Sequence, residues 1–427
     1  MTEDPGMRPN LAGFVYIGAL AAVSSVSMLR ILVVAGGMSK PDFAEYAAIV
    51  ALGSYLGGIL SFGKVEATIK SFPRFAAAGQ IKKIRHETRA LMLILARRAL
   101  IISVPLIGLG YLFSARPILT LGAGVLYAFG VGCFAILASA QRALSQPKLL
   151  LAGTAFRTFC AFAVVTFMVV FTHVPLWILL GVECLTMVVS SLISEAVIFK
   201  NIGLLTAKEQ PIDHEPGTAM RAADSGLTIF FAFSLIAAPS YLDRFFANLI
   251  FETNDAARYA VFGIFLLMIS LLVNTICQRV GPDIIKMVSN LTTRYQIFRY
   301  MCVWSAISIV IWGIFLLTII LAFKFEIIPE DLLKFNIALQ DLLPIFFLGA
   351  ASVSSIFEFY MMAVDKERQW LQVILLYVSA VFLVFLAADV YSLPLNSFMW
   401  LLAGSRFLYV AMLFYVAIFQ MDEASST

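Results

Sequence analysis

The chain has 427 residues, 61% of them hydrophobic and only 13% charged. A soluble protein averages about 25% charged residues, so there are too few here to coat a water-soluble globule. The formal net charge of +4 is spread over short connections and gives no surface for nucleic acid. The composition is that of an all-α integral membrane protein.

A membrane-spanning helix needs about 20 mostly apolar residues. Twelve runs meet this requirement, near 11–36, 43–65, 90–113, 117–140, 149–172, 176–199, 223–248, 256–278, 299–323, 341–363, 370–389 and 395–419. The first continues past Gly36, too long for a cleaved leader and without a small-residue cleavage site, so it is expected to be a span. Gly53 and Gly57 in the second have GxxxG spacing and predict a close-packing face. The connection 66–89 is basic, with Ile69, Phe72, Ile81 and Ile84 among its charges, and is expected to lie partly on the membrane surface. Arg97 and Arg98 interrupt the third run. They are expected to mark a later start of that span, with both side chains at the cytoplasmic interface. Segment 200–222, with Pro211, Pro216 and Gly217, reads as a linker between an N-terminal bundle (1–199) and a C-terminal bundle (223–427). All five cysteines fall inside apolar runs and read as small packing groups. His86, His173 and His214 are far apart, so no metal site is expected.

Lys and Arg in the connections set the orientation. With the N-terminus cytoplasmic, nineteen lie in inside segments, five in outside segments, and six within spans. Both termini are therefore expected in the cytoplasm of a multi-pass inner-membrane protein. An internal repeat accompanies this layout. Asp42, Ala44, Tyr46 and Ala47 match Asp255, Ala257, Tyr259 and Ala260 at an offset of 213, which also pairs Ser27 with Ser240 and Leu29 with Leu242. The offset is half the chain and spans six helices, an even number, so the halves are parallel repeats about an axis normal to the membrane. Two such bundles enclose a central cavity, and rocking one against the other exposes it to each side in turn. That geometry points to a transporter.

Two motifs mislead. Gly58-Ile59-Leu60-Ser61-Phe62-Gly63-Lys64-Val65 approaches a phosphate-binding loop, but it ends in Val65 and occurs within a span, so nucleotide hydrolysis is not expected. Asn290-Leu291-Thr292 is a glycosylation sequon in a segment expected to be cytoplasmic.

Pro41-Asp42-Phe43-Ala44-Glu45-Tyr46-Ala47 and the stretch from Phe62-Gly63-Lys64-Val65-Glu66 through Phe72-Pro73-Arg74 resemble the first loop and second span of Wzx-type polysaccharide flippases. Leu242-Asp243-Arg244-Phe245-Phe246, Ala257-Arg258-Tyr259-Ala260 and Val280-Gly281-Pro282 are similar to the same family's seventh and eighth spans. Lys64 stands where a small or apolar residue usually follows the glycine. The family belongs to the multidrug/oligosaccharidyl-lipid/polysaccharide (MOP) exporter superfamily. The resemblance implies movement of an undecaprenyl-pyrophosphate oligosaccharide from the cytoplasmic to the periplasmic leaflet, for O-antigen or exopolysaccharide synthesis.

Such a cargo asks for cations around a membrane-embedded cavity. Ionisable groups inside spans are costly and are functional candidates by default. The candidate cations are Arg30, Arg157, Arg244 and Arg406, the last near mid-span. Arg406 has a structural ion pair as its competing role, and Arg244 a local arrangement with Asp243. Candidates for coupling to protons or sodium are Asp243, Glu358 and Glu183, whereas Glu195 and Asp389 lie near span ends, where solvated placement is expected. Expected partners are the lipid-linked oligosaccharide, membrane lipids, and a polysaccharide polymerase with its export machinery, with no nucleic acid and no cofactor. A cation-coupled multidrug exporter of the same superfamily is the alternative, though its cavity would favour acidic and aromatic lining. A polysaccharide polymerase or glycosyltransferase would need a larger outside segment than 325–340, and no enzymatic activity is expected.

Overall fold

The computed structural model describes residues 11–419 except 62–63, 65–67, 69–70, 73–74, 77–78, 115–117, 145–146, 173, 204–217, 290–292, 326–333, 336, 338 and 365. Among these residues all regular structure is helical. The first half contains α1 (Leu11–Gly37), α2 (Lys40–Ile59), α3 (Ile81–Ser114), α4 (Ile118–Ala143), α5 (Pro147–Phe171) and α6 (Leu176–Gly203). The second contains α7 (Thr218–Ile250), α8 (Thr253–Ser289), α9 (Arg294–Lys324), a broken helix of α10a (Leu339–Ala350) and α10b (Ser354–Ala363), α11 (Glu367–Tyr391) and α12 (Leu395–Phe419). Each expected span has its helix.

The break in the tenth helix has a packing cause. The Trp312 indole of α9 lies against Gly349, where an added Cβ would come within 2.5 Å of it. Its Nε1 donates to the Phe346 carbonyl at 3.0 Å. A side chain inserted at this point interrupts the helical ladder, which continues through a 3-10 turn at Ala351–Val353.

Among the described residues seven segments, belonging to α4, α5, α6, α9, the α10 pair, α11 and α12, are long and apolar enough to cross a membrane. Two of the others, α2 and α8, have a different environment. Neither exposes a large apolar side chain among the described residues, whereas the outer helices do so repeatedly. These repeat mates are the central helices, shielded from lipid by protein, so they can carry more polar residues. Helix α2 starts at Ser39, whose hydroxyl accepts from the Asp42 N–H at 3.3 Å, with Pro41 in the first turn. Its GxxxG face packs as expected. A Cβ on Gly57 would lie 2.8 Å from the Ala128 carbonyl oxygen, and one on Gly53 2.9 Å from the Tyr127 ring.

The halves are joined at one end. Helix α2 packs on α7 and α8, and α1 packs on α8. Val34 and Ala35 of α1 and Phe43 and Tyr46 of α2 share one buried cluster with Tyr259 and Phe262 of α8 and Phe398 of α12. Lys334, from the second half, donates to the Gly36 and Met38 carbonyls at 2.8 and 2.9 Å, capping the C-terminus of α1. Lys40 donates to Asn254 at 3.2 Å, and the Phe43 and Phe335 rings meet at 5.5 Å. At the opposite end the first half has its own cluster, including Leu91, Leu95, Ile136, Leu137 and Phe199. The basic N-terminus of α3 lies at that end.

Several expectations need correction. Helix α3 begins at Ile81, so Arg97 and Arg98 lie well inside the helix, and only one of them is free to reach an interface. Arg98 turns inward and donates to the Leu60 and Ser61 carbonyls at 3.1 and 2.7 Å, closing the end of α2. Phe72 and Ile84 are buried in the first-half cluster, not laid on a membrane surface. Glu195 is buried and paired with Arg89 at 2.8 Å, where solvation was expected, while Asp389 is exposed. Most of the linker at 200–222, the sequon at 290–292, and Gly63 and Val65 of the loop-like motif lie outside the described residues.

Candidate functional site

Two adjoining cavities lie along α7 and α8. The first, of about 230 Å³, is enclosed mainly by the first half, with Arg30 of α1, Tyr46 of α2, Tyr127 of α4 and Arg157 of α5 in its wall. The second, of about 290 Å³, lies within the second half and is lined by Ser240, Asp243, Glu358, Tyr377, Arg406 and Tyr409 among others. Tyr241, Arg244 and Leu267 border both. All four arginine candidates therefore face a cavity, and Arg244 faces two.

The repeat builds a similar cluster in each half. Tyr46 donates to the Glu183 Oε1 at 2.6 Å, and its mate Tyr259 donates to the Asp243 Oδ2 at 2.9 Å. The charges around these tyrosines are exchanged. In the first half the cation, Arg30, is on the first helix and the carboxylate, Glu183, on the sixth, with Arg30 Nη1 and Glu183 Oε2 3.4 Å apart. In the second half Asp243 occupies the position equivalent to Arg30, and the cation, Arg406, comes from the sixth helix of that half. Arg406 donates to the Tyr377 hydroxyl at 3.2 Å and to Ser240 Oγ at 3.0 Å, within electrostatic reach of Asp243. Each half thus ties its first and last helices together through an arginine, and a tyrosine of its second helix donates to the carboxylate.

Arg244 borders both cavities and also makes the local arrangement with Asp243. Its backbone N–H donates to Asp243 Oδ1 at 2.7 Å, and its Nε stands 4.0 Å from the same oxygen. Its Nη2 donates to the Gly263 carbonyl at 3.0 Å. A Cβ at residue 263 would lie 2.2 Å from the Arg244 Nε, so only glycine leaves room for this guanidinium. Glu358 is held differently from the other two coupling candidates. It accepts from Ser354 Oγ at 3.1 Å and from the Tyr409 hydroxyl at 3.0 Å, and that hydroxyl also accepts from Trp370 Nε1 at 3.1 Å. No cation among the described residues pairs with it.

Arg157 stands apart from the other arginines. Its guanidinium lies over the Phe134 ring, 3.5 Å from the centroid, and it has no carboxylate partner among the described residues. The charge balance around the first cavity is therefore positive, because Glu183 is already matched by Arg30. Sequence reasoning singled out the arginines but missed Tyr127, Tyr241, Tyr377, Tyr409 and Gly263. The repeat aligned Tyr46 with Tyr259, but at the same offset the missed tyrosines fall opposite Gln340, Met28, Val164 and Ala196, so the sequence carried no signal for them.

No protein-family model matches this chain, and no curated protein does. Its fold is that of MATE transporters. An inward-facing multidrug resistance MATE family transporter of the MOP superfamily superposes with a TM-score of 0.68 at 11% identity, over 97% of this chain and 99% of the other. An outward-facing structure of such a transporter gives 0.67 at 12% identity over 99% and 98%. A Vibrio cholerae MATE transporter gives 0.66 at 13% identity over 97% and 99%. At such identities the likeness concerns the fold, and both conformations match it almost equally well.

Proposed function

We propose that this protein moves an anionic, lipid-linked oligosaccharide of the undecaprenyl-pyrophosphate class across the bacterial inner membrane by alternating access. The observation that carries this reading is the first cavity, where Arg30, Arg157 and Arg244 converge from three helices and Arg157 has no carboxylate partner among the described residues. A half-buried guanidinium without a matching carboxylate is costly, and an arriving phosphate offsets that cost through charge-assisted, bidentate hydrogen bonds. Because Arg244 comes from the other half, an anion bound there touches both bodies that must move. The basic end of the bundle faces the cytoplasm in this reading, where the lipid-linked precursor is made. A polysaccharide polymerase and export machinery would take the product on the far side.

A second reading, a cation-coupled multidrug exporter, draws support from the solved structures of similar fold and from the second cavity, whose Asp243, Glu358 and four aromatic side chains suit an organic cation. Both readings assign coupling by protons or sodium to Glu358, the candidate carboxylate that no arginine neutralises.

Proteoliposomes test the choice directly. With a fluorescent lipid-linked oligosaccharide in the membrane, the protein is expected to make the glycan accessible to an external glycosidase or lectin. Arg157→Ala should slow this at normal protein level, and Glu358→Gln should remove its dependence on an ion gradient. Uptake of an organic cation with no glycan movement would overturn the flippase reading in favour of the exporter.

A further inference from the structure

Helix α3 has 34 residues, about 51 Å at 1.5 Å per residue, against a bilayer hydrocarbon core of about 30 Å. It must therefore extend beyond the membrane. Along its outward stripe His86, Arg89, Leu93, Arg97, Leu100 and Val104 follow at spacings of three and four, all exposed. The stripe turns apolar at Leu93, and Leu93, Leu100 and Val104 are 71%, 72% and 74% exposed, as side chains facing lipid are.

Arg97 is the one charge beyond that change. It lies two turns deeper than Arg89, about 12 Å along the axis, with apolar neighbours before and after it on the stripe. No hydrogen bond or ion pair engages it among the described residues, unlike Arg98 beside it, which caps α2. A guanidinium among acyl chains costs up to about 2.5–3.5 kcal/mol by insertion scales, relieved when it reaches the headgroups. Helical side chains lean toward the helix N-terminus, and for α3 that is the basic end. Arg97 is thus directed toward the leaflet at that end. There Arg85 and Arg89 share a single carboxylate, Glu195, at 3.6 and 2.8 Å, which leaves the rim positive.

We propose that Arg97, below this basic rim, binds the phosphate of an anionic phospholipid on the outer surface of α3. The site lines neither cavity and does not depend on the identity of the cargo. The net positive rim selects a headgroup of net negative charge over a zwitterionic one, whose ammonium it repels. A lipid held here would fasten α3 at a fixed depth.

Native mass spectrometry of the purified full chain, with phosphatidylglycerol or phosphatidylethanolamine added, tests the site. The wild type is expected to retain phosphatidylglycerol preferentially. Arg97→Gln should lower that retention about fivefold, the equivalent of about 1 kcal/mol for one arginine near an anionic surface, while Arg97→Lys preserves most of it. Equal retention of the two lipids by the wild type, or unchanged phosphatidylglycerol retention in Arg97→Gln, would overturn the proposal. If the Gln variant does not fold, the wild-type lipid preference and its weakening with salt decide the matter.

Discussion

Arg157→Gln is expected to reduce delivery of the lipid-linked glycan by tenfold to about a hundredfold while leaving the protein as stable as the wild type or slightly more so. The two effects share one cause. The side chain of Arg157 is in the first cavity with an aromatic ring beneath it and no carboxylate to match it. In the empty protein its charge carries a desolvation cost, and a neutral amide of similar shape removes that cost. With an anion bound, the same guanidinium supplies a charge-assisted hydrogen bond worth about 1.5–3 kcal/mol, which corresponds to the expected loss. Arg157→Lys should fall between, because an ammonium keeps the charge but loses the planar fork and the ring stacking. The measurements are glycan translocation in proteoliposomes and thermal unfolding in detergent. A variant with full transport would exclude Arg157 from cargo binding. One with sharply lower stability would make the residue structural.

The second large effect has the opposite signature. Glu183→Gln leaves Arg30 buried without its partner, beside the already unmatched Arg157. Breaking a buried pair from one side costs about 3–5 kcal/mol, so folded yield and melting temperature should drop clearly, even though Tyr46 can still donate to the amide oxygen. Replacing Arg30 and Glu183 together by methionine should recover most of the stability, since neither partner is then left charged and alone. Transport should not return, because the cavity has lost a cation. A Glu183→Gln protein that unfolds at the wild-type temperature would refute the pairing as a structural tie. Comparison of the two variants separates arginines that hold the fold from those that wait for an anion.

Sequence and structure agree best where the physics is one-dimensional. A bilayer demands about 20 apolar residues per crossing, and that demand is written along the chain, so all twelve helices were legible. Their ends were less so. Apolarity stops where lipid stops, but a helix continues wherever its backbone can, which is how α3 comes to begin at Ile81, nine residues before its apolar run. Arg97 and Arg98 show the limit most plainly. They are adjacent in sequence and alike in chemistry, yet about 100° of helical rotation sends one to lipid and the other to the end of α2.

The sequence by itself determined the helical class, the count of spans, the half-chain repeat and the arginines worth suspecting, because each rests on composition or periodicity. Only the tertiary structure decided what those arginines meet. Arg30 meets Glu183 across residues far apart in the chain, Arg244 occupies the space that Gly263 leaves open, and Arg157 meets no carboxylate among the described residues. Charge is a property of a residue, but compensation is a property of its neighbours, and in the low dielectric of a membrane protein compensation separates a tie from a binding site.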